Sequence, residues 1–163
     1  DPRLRELPAD PVLRGPGPRV LTRGMATYRV NIDGGARGNP GPAGWGVVVQ
    51  DAAGAMVAEL MGALPHATNN VAEYSGLLAA LDWCAEHQAT TVHVLSDSLL
   101  LVQQMRGVYK VKHEGLKPLY GKARLLAHRI GQVTFEHVPR EQNKDADRLA
   151  NLAMDEAEGP GNV

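Results

Sequence analysis

The stretch "YRVNIDGGARGNPGPAGWGVVVQD", Tyr28–Asp51, decides how the chain folds. Tyr28, Val30 and Ile32 alternate with Arg29, Asn31 and Asp33, the period of two that a half-buried strand shows. The strand-like run ends at Asp33, gives way to a segment crowded with glycine and proline, and resumes as "GWGVVVQD". Two such runs joined by turn-forming residues pair antiparallel. A carboxylate at the end of a strand, beside backbone that side chains have nearly vacated, is also a place for chemistry.

Outward from that pair the periodicity changes in a definite order. "GAMVAELMG" follows the turn-like Asp51-Ala52-Ala53-Gly54 and adds a third antiparallel strand. "NNVAEYSGLLAALDWCAEH" has apolar residues at helical spacing, with Asn69 or Asn70 as its cap. "TVHVLSD" is a short strand ending in Asp97, followed by the helix "SLLLVQQM". "EGLKPLYGKARLLAHRI" reads as mostly helical, "QVTFEHV" as a strand and "NKDADRLANLAMDEA" as a closing helix. The order βββαβααβα implies an α/β fold: a five-stranded mixed sheet, three strands antiparallel and two joined through helical crossovers, with helices on both faces.

Residues 1–24 combine frequent proline and glycine with no sustained period, so a disordered leader is expected, with Met25 as a natural start. One domain over residues 25–157 and a flexible tail at 158–163 complete the division. A chain of 163 residues, 44% hydrophobic, can bury one ordinary core and is too short for two. The lone Cys84 falls on the buried side of a helix and excludes an intramolecular disulfide framework, so a reducing, cytoplasmic setting is expected. No apolar run approaches the roughly 20 residues that span a bilayer, and the N-terminal residues lack the charge order of a secretory signal, so no membrane association is expected.

The net charge of −1 conceals an uneven distribution. Gly38 through Met105 contains no Lys or Arg but holds Asp51, Glu59, Glu73, Asp82, Glu86 and Asp97. Arg106 to Arg129 reverses this, with seven Lys and Arg against Glu114 alone. A polyanion could lie on the second region while metal ions neutralise acids in the first; the plainer alternative is a solvated helix with ordinary charges.

Asp33, Glu73, Asp97 and Asp147 stand at strand ends or helix starts, places that such a sheet can bring to one point. A cluster of four carboxylates repels itself, and hard divalent cations are the usual remedy. Singly, each acid has an ordinary explanation: Glu73 near a helix start complements the dipole, Asp33 ends a strand, and Asp147 neighbours the surface residue Asp145.

The words around these acids carry more. "IDGGARGNPGPAGWG", "TNNVAEYSGLLAAL", "SDSLLLVQQM" and "HVPREQNKDADRLANLAMD", in this order and at these intervals, closely resemble ribonuclease H of type 1. The resemblance covers about Ala26 to Ala157 and is to the bacterial or archaeal-like form, since only "RGVYKVKHEGLKP" stands where some members carry a lysine-rich protrusion. It implies that Asp33, Glu73, Asp97 and Asp147 hold two Mg²⁺ ions about 4 Å apart, with Mn²⁺ a possible substitute. Asp33 would bridge them, Asp147 would serve the ion that activates water, and Glu73 and Asp97 the ion at the leaving 3′ oxygen. The implied reaction is hydrolysis of the RNA strand of an RNA–DNA hybrid, giving 5′-phosphate and 3′-hydroxyl ends.

By the same resemblance the segment Gly34, Gly35, Ala36, Arg37, Gly38 and Asn39 approaches the hybrid's minor groove, where 2′-hydroxyls distinguish RNA from DNA. Backbone near Ala36 and Gly38, with Asn39, Asn70 and Gln103, would read them, unless the segment is simply a Gly-Pro hairpin loop. Thr68, Asn69 and Ser98 would receive phosphates of the DNA strand, and Tyr109, Lys110 and Lys112 would give a smaller grip. His137 stands where the family commonly has a histidine ahead of its last acid; it would protonate the leaving group or relay protons, the alternative being a strand-end histidine that only packs. A monomeric enzyme is expected. A non-cleaving hybrid-binding module and a related nuclease of different substrate are the alternatives; the four acids oppose the first, the glycine segment and Asn70 the second.

Overall fold

The computed structural model describes residues 26–160, and the expected leader and start at Met25 lie outside them. The elements are β1 Ala26–Ala36, β2 Gly41–Asp51, β3 Met56–Ala67, α1 Asn69–Glu86, β4 Ala89–Ser96, α2 Leu99–Met105, α3 Lys117–Ile130, β5 Gln132–His137 and α4 Lys144–Glu158, with a 3-10 turn at Arg140–Gln142. This is the expected order. The strands form one sheet in the order β3-β2-β1-β4-β5. β1 pairs antiparallel with β2 and parallel with β4, which places the strand carrying Asp33 at the centre. β3 and β5 close the two edges, antiparallel to β2 and parallel to β4 respectively.

The alternation in β2 shows why the sheet has helices on both faces. A side chain added at Gly44 would come within 2.6 Å of Ala153 and Met154, and one at Gly46 within 2.5 Å of the Ala146 carbonyl. α4 therefore rests on backbone that only glycine can offer. Val47 and Val49, at the opposite parity of the strand, face the other way and pack with Val30, Ile32, Val92 and Val94 against Tyr74, Leu77 and Leu81 of α1 and Leu101 and Val102 of α2. Cys84 belongs to this core, as its helical spacing implies, and burial pushes its thiol up to about 12. One polar link crosses the core: the Tyr74 hydroxyl donates to Gln104 Oε1 at 2.7 Å.

Three local details differ from the reading of the sequence. β1 does not stop at Asp33 but continues for three residues, with Gly34, Gly35 and Ala36 opposite Trp45, Gly44 and Ala43. Much of the vacated segment is thus strand, and its first glycine makes room for the protein itself: a Cβ on Gly34 would lie 2.4 Å from the Ala72 carbonyl carbon. The cap of α1 is Thr68, whose extended backbone lets its hydroxyl accept from Val71 N–H at 3.2 Å, while Asn69 and Asn70 are already helical. Glu73 consequently lies beyond the first turn, where the helix dipole has faded, and its ordinary explanation falls away. Among the described residues no helix is long and apolar enough to cross a membrane.

Candidate active site

Asp33 on β1, Glu73 on α1 and Asp97 just past β4 offer carboxylate oxygens that all lie within 4.8 Å of one another. Asp147, in the first turn of α4, lines the same cleft, and its carboxylate acts electrostatically on Asp33. Four segments distant in sequence thus meet at one end of the central strands, in an open cleft of about 730 Å³ that also contains His137 and Arg140.

The electrostatics are those of a cluster built to be neutralised. Asp33 is only 6% exposed, and burial, then the charge of Asp97, then the hydrogen bond and charge of Asp147, raise its pKa to about 8. Glu73 is raised well above its ordinary value, first by burial and then by Asp33 and Asp97, with Arg140 pulling the other way. Its Oε1 is buried without a hydrogen-bond partner among the described residues. Buried carboxylates with an unsatisfied oxygen are costly unless a hard cation completes them. An all-oxygen donor set of this kind suits a divalent metal.

The scaffold behind the acids is polar and buried. Asn143, 1% exposed, donates from Nδ2 to the Ile32 carbonyl at 2.8 Å and accepts from Asn31 Nδ2 at 3.0 Å. Its own carbonyl accepts the Asp147 N–H at 3.0 Å, so one residue ties the peptide preceding Asp33 to the turn carrying Asp147. Across the sheet, Ser96 Oγ accepts from Ser98 N–H at 3.0 Å and the Ser96 carbonyl accepts from Val138 N–H at 2.9 Å. Those bonds fix the ends of β4 and β5 and hence the chain on either side of Asp97 and His137.

Of the residues singled out from the sequence, Gly35, Ala36, Arg37, Asn69 and His137 line the cleft with the four acids. Gly38, Asn39, Thr68, Asn70, Ser98, Gln103 and Tyr109 do not line it. Thr68 and Ser98 cap α1 and α2. Asn39 Oδ1 accepts the Asn69 N–H at 2.9 Å while Asn69 Oδ1 accepts the Ala36 N–H at 2.7 Å, which couples the β1–β2 turn to the start of α1. The Gln103 carbonyl accepts N–H groups from Val108 and Tyr109, closing the chain after α2, and its side-chain oxygen is buried. Arg37 is ion-paired with Asp155 at 2.6 Å and Glu158 at 2.9 Å.

Arg140, Asn143, Asn151 and Met154 escaped the sequence reading, although Arg140, Asn151 and Met154 line the cleft. Asn143, Asp147 and Asn151 recur every four residues and share one stripe of α4, a spacing that was available as a signal. Arg140 left no such trace, because its relation to Glu73 depends on how the turn after β5 folds.

Comparison with known proteins agrees with this geometry. Residues 31–153 match a family model described as reverse transcriptase-like. The chain is 39% identical over 126 residues to ribonuclease HI of Halobacterium salinarum, covering 77% of this chain and 63% of that protein. It is 53% identical over 129 residues to the bifunctional protein Rv2228c of Mycobacterium tuberculosis, covering 78% of this chain but only 35% of the relative. The solved N-terminal RNase H domain of Rv2228c superposes with a TM-score of 0.80 at 50% identity, over 82% of this chain and 97% of that one. LC11-RNase H1, solved in complex with an RNA/DNA hybrid, superposes with a TM-score of 0.76 at 42% identity, over 81% of this chain and 99% of that one.

Proposed function

Because the chain belongs to the type 1 ribonuclease H family, we propose that it cleaves the RNA strand of RNA–DNA hybrids, leaving 5′-phosphate and 3′-hydroxyl ends. The observation that carries this reading is the convergence of Asp33, Glu73 and Asp97 within 4.8 Å, with Asp147 lining the same cleft. The family is dependent on divalent metal, and these residues fit one; we take it to be Mg²⁺, two ions held by the four acids, with Mn²⁺ as substitute. When bound, the metal would neutralise the carboxylates, favour ionisation of an attacking water and stabilise charge on the leaving oxygen.

The rest falls to the protein's own groups. Asp33, fixed at the centre of the sheet, is the common member of the cluster; Asp147 reaches it from α4 on one side, Glu73 and Asp97 on the other. His137, exposed at the end of β5 and lining the same cleft, would give a proton to the leaving 3′ oxygen. Arg140 offsets negative charge beside Glu73. Gly35 leaves the wall of the cleft low, since a side chain there would meet the tip of Met154 at 3.4 Å, and the backbone of Gly35 and Ala36 is offered to the 2′-hydroxyls of the RNA strand. Gly38, Asn39, Asn70 and Gln103 extend that reading surface, while Thr68, Asn69 and Ser98 serve the DNA strand and Tyr109 adds a smaller grip on the hybrid. One chain supplies all four acids, in keeping with a monomer at work in a reducing, cytoplasmic setting.

The test is incubation with end-labelled hybrid, duplex DNA and duplex RNA, with Mg²⁺ and with chelator. Cleavage confined to the RNA of the hybrid and dependent on metal is the expected result; binding without cleavage would overturn it.

A further inference from the structure

We propose that Arg37 is a positioning residue: it clasps the β1–β2 turn to the end of α4 and so fixes the RNA-reading backbone relative to the acid that α4 carries. The proposal rests on the hydrolase reading above. The sequence reading sets Arg37 in the segment that approaches the minor groove; in the structure its charge is taken up by the protein. Nη1 contacts Asp155 Oδ1 at 2.6 Å and Glu158 Oε1 at 2.9 Å, and Nη2 lies 3.4 Å from both the carbonyl and Oδ1 of Asn151. With its donors taken up by two carboxylates and Asn151, the guanidinium is a good anchor for a planar fork.

Among the described residues several bonds hold the turn, the Asn39–Asn69 link among them. The Arg37 N–H closes it by donating to the Pro42 carbonyl at 2.8 Å, and the Ala36 N–H ties it to Asn69 at the start of α1. Among the interactions described here, the Arg37 side chain ties the turn to α4, bridging more than 110 residues of sequence. Asp147 lies on the same helix one turn before Asn151, whose side-chain Nδ2 donates to the Asp147 carbonyl at 2.9 Å. Ala36, Arg37, Asn151 and Asp147 all line the cleft, so a turn displaced from α4 would offer 2′-hydroxyls the right groups at the wrong distance from the acids.

Electrostatics and the clasp predict opposite signs for one variant. Asp155→Asn combined with Glu158→Gln makes the chain more cationic by two charges, which by itself tightens binding of a polyanion and lowers KM. With the clasp broken, KM for the hybrid should instead rise about three- to tenfold with little change in kcat, the scale of a partly exposed ion-pair network. Arg37→Glu should show the same rise, and Arg37→Glu with Asp155→Arg should recover most of it. Amide exchange of residues 36–41 should be faster in both broken variants and return towards parental in the swapped pair. A lower or unchanged KM, or a swap that rescues nothing, would overturn the clasp. A parental protein that never cuts hybrid would remove the hydrolase reading alone; unchanged exchange at residues 36–41 in the broken variants would then overturn the clasp by itself.

Discussion

Asp33 concentrates the electrostatic strain of the acidic cluster in one side chain. Its pKa rises from 3.8 to about 8 on folding without metal, because burial and the neighbouring acids disfavour its ionised form. The folded state then binds a proton more tightly than the unfolded one, so this stability is present below about pH 4 and is lost as pH climbs to about 8. Glu73, shifted in the same direction, adds to the same slope. Thermal melts in chelator should therefore show a falling Tm across that window, and Asp33→Asn should flatten the curve; a parental Tm independent of pH would refute this. Restoring divalent metal should raise the parental Tm most at the alkaline end, where the carboxylates are ionised and bind best. Asp97→Asn keeps the shape of the side chain but removes a charge that the proposed metal site would use. Cleavage of hybrid should drop to background while hybrid affinity stays near parental, as read by gel cleavage and by fluorescence anisotropy; near-parental cleavage would take Asp97 out of the mechanism.

At the scale of elements, glycine decides which helix can lie where. Gly34→Ala would set a methyl 2.4 Å from the backbone of α1 and force the helix that bears Glu73 to shift. A loss of about 3 kcal/mol is expected in urea unfolding, the upper range for overpacking. Gly121→Ala is the control, since nothing lies within 4 Å of its Cβ position in α3; it should gain about 0.5–1 kcal/mol from helix propensity. Equal effects at the two sites would dismiss the packing account. The contrast also explains what could be read in advance. Strands and helices were legible because Val30, Ile32, Val47 and Val49, or Leu77 and Leu81, announce their burial by spacing alone. The four acids were legible through the words around them. The length of β1 was not, because Gly34 and Gly35 read as loop until α1 and α4 are placed against them. Nor was Asn143, whose value lies in reaching the Ile32 carbonyl, a long-range contact with no local signature.

For the molecule as a whole, the site exists only when the sheet and helices on both of its faces are in place. Asp33, Glu73 and Asp97 come from β1, α1 and the end of β4, whereas Asp147 waits for α4, the last of the described helices, to settle on Gly44 and Gly46. Proteins are synthesised from the N-terminus and fold by parts as they emerge. A chain still attached to the ribosome would thus pass through a stage in which three of its acids have met and the fourth is inside the exit tunnel. It would be surrounded by RNA at that moment and unable to cut any nucleic acid. Ribosome-arrested chains of increasing length should accordingly gain metal-dependent cleavage of added hybrid in one step, once α4 has cleared the tunnel; activity in chains arrested before that point would contradict it. The late arrival of α4 would act as a safety catch, released when that helix emerges and docks on the sheet.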